Sequence, residues 1–124
     1  MVRPANLLLT VFVMTSDDVR FRTGITEELD ESVDIPVKAA FDKATTGISE
    51  SPRLAIIFPP LILKNAGDAY VNAWQKIIPN VPVFGSIATD DAIISKFSET
   101  IYNGKNYKTV MPFMIGVFLY WRCK

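Results

Sequence analysis

The chain has 124 residues, 49% of them hydrophobic, which is enough apolar material for one buried core but hardly for two. Its 13 basic and 13 acidic residues give a formal net charge of zero, which excludes a global field that would attract nucleic acid or an anionic membrane. The lack of histidine excludes catalytic triads with a histidine base and the usual zinc sites. We therefore expect a single domain over residues 1–124 that binds neither nucleic acid nor membrane.

Cysteine usage and the apolar segments bear on the compartment. The only cysteine, Cys123, can form no internal disulfide, which fits a reducing environment. Residues 7–14 form an apolar run after Arg3, as in a signal peptide, but no cleavage site of small residues follows. The apolar run 110–121 is shorter than the roughly 20 residues needed to span a bilayer. These features predict a cytoplasmic protein.

The N-terminal part of the chain predicts two strands and a helix. Residues 7–14 are mostly branched and aromatic, as in a buried strand, and residues 19–23 alternate apolar and polar, as in a half-exposed hairpin partner. After an acidic loop, Asp34 and Pro36 mark the start of a helix, and Gly47 its end. The apolar positions at helical spacing are Val37, Ala40, Phe41, Ala44 and Ile48.

The middle of the chain predicts a strand, a helix and a further strand. Residues 54–58 show no polar alternation, which favours a strand covered on both faces. Asn65 or Asp68 caps a second helix that ends before Pro79. Its apolar face consists of Val71, Trp74, Ile77 and Ile78. Residues 81–84 then form another short buried strand.

An Asn-Gly pair at 103–104 predicts a hairpin between the apolar runs 97–102 and 110–121. The order strand, helix, strand, helix, strand favours parallel strands covered by helices, with antiparallel additions at both ends. The predicted fold class is α/β, with a mixed sheet that has a parallel centre, two main helices and terminal β-hairpins.

Residues 82–91 are the strongest candidate for a binding segment, because open α/β sheets bind ligands beyond the carboxyl ends of their strands. Gly85 would let the backbone approach a ligand, although a glycine here is equally explained by a tight turn. Phe58, at the corresponding end of the preceding strand, could form an apolar wall of the same cleft. The competing explanation is that this position simply ends its strand before two prolines.

Polar side chains follow Gly85 directly. Ser86 and Thr89 offer hydroxyl groups, and the carboxylates of Asp90 and Asp91 can accept hydrogen bonds from a ligand ammonium group. The competing interpretation is that these residues cap the next element or bond to their own backbone. The sequence therefore predicts a ligand site here without excluding a purely structural turn.

The order of these features resembles the N-terminal part of the FIST domain, a sensory module of signal-transduction proteins. The resemblance covers roughly residues 20–119. The similar segments are an early strand ending in a small residue, a hydrophobic strand ending in phenylalanine, a valine-proline strand followed by glycine and an acidic position, and a hairpin, at residues 21–26, 53–58, 81–91 and 102–119.

The resemblance implies a sensory domain that binds a small molecule, with amino acids as the proposed class. It also implies a signalling protein or a C-terminal companion domain as partner, since the family's usual C-terminal region is missing here. If the ligand sits between the two parts, this chain holds half a site. We further expect the apolar C-terminal strand to expose an unpaired edge that favours a homodimer.

Catalysis is the least favoured function class. The chain has no phosphate-binding loop and no dinucleotide fingerprint, so we predict no cofactor, no metal site, no catalytic residue and no enzymatic activity. Two alternatives to the sensory domain stay open. One is an interaction module that pairs through its terminal strand or hairpin. The other is an enzyme that uses Ser86, Asp90 or Asp91, with or without magnesium.

Overall fold

The computed structural model describes residues 11–30, 32–60, 67–87 and 99–118. The elements in chain order are β1 (Val19–Ile25), α1 (Asp34–Ala44), β2 (Leu54–Ile57), α2 (Gly67–Ile77), β3 (Val83–Gly85), β4 (Glu99–Tyr102), β5 (Lys105–Lys108) and β6 (Pro112–Phe118). Within these ranges, neither helix has the length and apolar character needed to cross a membrane.

The main sheet has four strands in the order β1, β6, β2, β3, and β4 and β5 form a separate two-stranded sheet. Strand β6 runs antiparallel to both of its neighbours, whereas β2 and β3 are parallel. This confirms the predicted α/β class with a mixed sheet and two helices. Among the described strands, parallel pairing is restricted to β2 and β3, because β6 lies between β1 and β2.

Both helices pack on one face of the main sheet. The register pairs Ala55 with Ile115 and Ile57 with Phe113, so these four side chains share a face, and all of them are buried. The helices contribute to the same cluster the buried side chains Val37 and Ala40 from α1 and Tyr70, Ala73 and Trp74 from α2. The spacing of Val37 and Ala40 in α1 and of Trp74 in α2 predicted two amphipathic helices, and the packing confirms both helices. The predicted face of α2 is wrong in part, because Val71 is 42% exposed while Tyr70 and Ala73 are buried.

Trp74 lies at the centre of this core and is fully buried. Its ring centroid is 4.8 Å from that of Phe113 and 6.0 Å from that of Phe41, both in edge-on geometry. Its indole N–H donates to the sulfur of Met111 at 3.3 Å, so the buried polar atom has a partner. Trp74 therefore connects both helices to the sheet.

Helix α1 begins at Asp34, which was predicted to precede it, and ends at Ala44, short of the predicted apolar position Ile48. The helical bond pattern ends after Thr45, because the N–H groups of Thr46 and Ile48 bond to carbonyls three residues back, those of Lys43 and Thr45, at 3.4 and 3.0 Å. Gly47 then adopts a φ of +79° in the following turn, as its role as a terminator requires.

The other face of the sheet is only half covered, which contradicts the expectation that β2 is covered on both faces. Leu54 and Ile56 are half-buried, while Ala55 and Ile57 on the helix face are buried. Among the described residues, no helix lies on this face. The segment before β1 covers part of this face. The ring of Phe12 contacts the ring of Phe58, with 6.2 Å between the ring centroids.

The prediction of an N-terminal strand over residues 7–14 is wrong for residues 11–14, which are the part that the structure describes. Val11 and Val13 are 72% and 77% exposed and belong to no strand, while residues 7–10 lie outside the described ranges. Strand β1 pairs instead with β6. Hydrophobicity alone predicted a strand at 7–14, but a strand also needs a pairing partner, and β6 pairs with β1 and β2.

The C-terminal hairpin forms with a different partner from the predicted one. Asn103 and Gly104 have φ values of 50° and 76°, which confirms the tight turn, but this turn joins β4 to the short strand β5. The apolar run that begins at residue 110 becomes β6, which is paired on both sides. The expectation that this strand exposes an unpaired edge is therefore wrong.

Candidate functional site

A cleft of about 320 Å³ lies at the carboxyl ends of the parallel strands β2 and β3, next to the first turns of α2. We call it the β2–β3 cleft. Its volume is at the lower end of the range of small-molecule sites, roughly 300 to 1,000 Å³. The apolar side chains in its lining are Ile57, Pro59, Val71, Val83, Phe84 and Ile87. The location agrees with the predicted one, beyond the carboxyl ends of the strands.

Gly85 forms the end of β3 in this cleft, opposite Ile57 of β2. A Cβ atom at residue 85 would lie 1.9 Å from the carbonyl oxygen of Ile57, which no side chain can accept. The same oxygen accepts a hydrogen bond from the N–H of Ser86 at 3.3 Å. Glycine is therefore required here for the close approach of two strands, and this approach directs the following residues into the cleft.

Tyr70 closes the inner side of the cleft. Its ring is fully buried, and its hydroxyl donates to the carbonyl oxygen of Pro60 at 2.8 Å. This bond ties helix α2 to the segment that leaves β2 and so holds the adjacent Pro59 in the lining. The wall between β2 and α2 is thus fixed by a buried hydrogen bond as well as by packing.

Two exposed polar side chains line this cleft, Asp68 in the first turn of α2 and Ser86 after β3. Asp68 is the only charged residue in the lining among the described residues. Its carboxylate can accept hydrogen bonds from an ammonium group, and the Ser86 hydroxyl can donate or accept. In the first turn of α2, backbone N–H groups have no partner within the helix, and the helix dipole there favours negative charge.

The structure places only part of the predicted site in the cleft. Gly85 and Ser86 line it, whereas Thr89, Asp90 and Asp91 lie outside the described residues. Phe58 does not line the cleft. Side chains alternate along β2, so Phe58 points to the half-covered face, where its ring contacts that of Phe12.

Asp68, Tyr70 and Val71 of α2 are among the lining residues that were not predicted as site residues. Asp68 was expected to be a helix cap and Val71 a member of the apolar helix face, yet Val71 is 42% exposed at the rim of the cleft. These residues reach the cleft through the packing of α2 beside β3, which the sequence alone does not specify.

A second cleft of about 500 Å³ lies near the amino ends of β2 and β3. Glu50, Arg53, Asn80 and Phe118 are among its lining residues, so the lining contains one acidic and one basic side chain. Ligands of open α/β sheets bind at the carboxyl ends of strands, and for this reason the β2–β3 cleft is the stronger candidate.

The described part of the chain contains no group of three or more Cys, Asp or Glu side chains arranged to hold a metal ion. Comparisons with protein-family models, with curated proteins and with solved structures found no match to this chain.

Proposed function

We propose that this chain binds a small molecule in the β2–β3 cleft, without turnover, as a sensory domain in signal transduction. The observation that carries the proposal is the position of the cleft, at the carboxyl ends of the only parallel strand pair among the described strands. The sensory role depends on the resemblance of the sequence to the FIST domain, together with the partner that this resemblance implies.

Amino acids are the proposed ligand class, because the cleft offers a complement to each part of such a molecule. The carboxylate of Asp68 suits the ammonium group, and the hydroxyl of Ser86 lies in the same lining. The first turn of α2 suits the carboxylate of the ligand. The apolar wall that includes Val71 and Val83 suits a hydrophobic side chain.

The test is a thermal-shift screen with the free amino acids and common metabolites on the wild-type protein and two tryptophan variants. Val71→Trp places an indole into the cleft from its rim, and Asn72→Trp, the control, adds the same indole at the next, exposed position outside the lining. A ligand at one hundred times its Kd stabilises the folded state by about 2.7 kcal/mol. We expect this stabilisation in the wild type and in Asn72→Trp, and its loss in Val71→Trp.

Three results would contradict the proposal. If no compound stabilises the folded wild-type protein, there is no small-molecule site of useful affinity. If a compound stabilises Val71→Trp as much as Asn72→Trp, it binds elsewhere. Consumption of the compound during incubation would instead indicate an enzyme.

A protein-interaction module is the second candidate, and the half-covered sheet face favours it. Phe84 and Phe118 are 59% and 43% exposed, and the register places both on this face. Large exposed apolar side chains on one face are typical of protein interfaces. Self-association without any response to small molecules would favour this function over ligand binding.

A further inference from the structure

The outer edge of β3 offers backbone hydrogen bonds at the β2–β3 cleft. Ala55 donates to the carbonyl of Pro82 at 3.0 Å, and Ser86 donates to the carbonyl of Ile57. In a parallel ladder, alternate residues of a strand bond to the same neighbour, so residues 82, 84 and 86 face β2. The N–H and C=O groups of Val83 and Gly85 therefore face outward, where no described strand pairs with them.

This edge forms one side of a groove whose other side is helix α2. The lining of the cleft includes Val83 and Phe84, whose side chains lie on opposite faces of β3, and hence it extends around the edge of the strand. Across the groove stand Val71 and Asp68 of α2. Apolar side chains are thus available on both sides of an exposed row of backbone donors and acceptors.

We propose that the ligand of this cleft is a short extended peptide with apolar side chains and a free amino terminus, which adds to β3 as a further strand. The inference rests on the proposed function, since it concerns the same cleft, and it specifies the ligand class. Backbone groups of the peptide pair with Val83 and Gly85, and its side chains contact the apolar lining. Charge complementarity selects the amino terminus, because Asp68 is the only charged lining residue among those described.

The experiment compares two peptide pools by NMR on the uniformly ¹⁵N-labelled full chain. The first pool contains tripeptide amides with free amino termini and valine, isoleucine, leucine or phenylalanine at each position. The second pool is identical except that its internal peptide nitrogens are methylated, which removes the donors that a strand needs. Free amino acids form a third sample. The readout is the chemical-shift change of the amide groups of Val83, Gly85 and Ser86 during titration.

Strand addition predicts that the first pool shifts the amides of Val83 and Gly85, and that methylation weakens binding roughly fivefold, as expected for the loss of the one hydrogen bond that an internal N–H of the peptide donates to β3. Equal binding of both pools would overturn strand addition. If free amino acids shift the cleft amides and neither pool does, strand addition fails while the proposed function survives. If no sample shifts any cleft residue, both fail.

A pair of proline variants tests the same edge by changing the protein instead of the peptide. Val83→Pro removes an outward-facing N–H that β2 does not use, and prolines are tolerated at such edge positions. Thr23→Pro makes the same change on the opposite edge of the sheet, where residue 23 of β1 also faces outward. We expect weaker binding of the unmethylated pool by Val83→Pro alone. Equal effects of both variants would overturn the assignment of the edge, and the methylation comparison stands even if a variant fails to fold.

Discussion

Substitution of Gly85 by alanine tests the strand contact on which the β2–β3 cleft depends. The new Cβ atom would lie 1.9 Å from the carbonyl oxygen of Ile57, and because this neighbour is backbone, the two strands must move apart. Such overpacking costs about 1 to 3 kcal/mol, and each weakened strand hydrogen bond, among them the 3.3 Å bond from Ser86, costs about 0.5 to 1.5 kcal/mol more. We expect a total loss of about 2 to 4 kcal/mol in the free energy of unfolding.

The assay is urea denaturation followed by tryptophan fluorescence. The chain has two tryptophans, so a Trp121→Phe background leaves the buried Trp74 as the reporter. Gly47→Ala is the control, because residue 47 has a φ of +79° but no atom within 4 Å of an added Cβ. Its cost is the left-handed strain alone, about 1 to 2 kcal/mol. A loss for Gly85→Ala no greater than that for Gly47→Ala would refute the argument from strand contact.

Two further substitutions separate a buried interaction from an exposed one, both measured by urea denaturation. Tyr70→Phe removes the buried hydroxyl that donates to the carbonyl oxygen of Pro60. We expect the free energy of unfolding to fall by about 1 to 3 kcal/mol. An unchanged urea midpoint would contradict a structural role for this bond. Lys76→Met removes the 2.7 Å ion pair with Asp34, whose side chains are 66% and 52% exposed. We expect a change below about 1 kcal/mol that shrinks further at high salt, and a larger loss would contradict this.

The two helices show how much of the structure can be predicted from local sequence patterns. The helical spacing of Val37, Ala40 and Trp74 predicted two amphipathic helices, and these three residues are buried, whereas Val71 of the predicted face is 42% exposed. A helix completes its hydrogen bonds within one segment, so its periodicity can be recognised without knowing the fold. The predicted end of α1 was less accurate, because the N–H groups of Thr46 and Ile48 bond three residues back instead of four.

The candidate site was predictable in position but not in composition. The segment after β3 was identified because parallel strands present their carboxyl ends to ligands, and Gly85 and Ser86 do line a cleft there. The part contributed by Asp68 and Val71 depends on how α2 packs beside β3. Phe58 was assigned to the cleft from its place in the chain, yet strand alternation directs it to the opposite face.

The sequence by itself determined the α/β class, the two helices, the turn at Asn103 and Gly104, and the edge of the sheet where a ligand site is expected. Only the tertiary structure decided that β6 lies between β1 and β2, that one sheet face remains half covered, and that Gly85 serves the approach of β3 to Ile57. The physical reason is that strands bond to partners distant in sequence. Which partner wins depends on the packing of the whole chain, whereas helices and turns bond to their own neighbours.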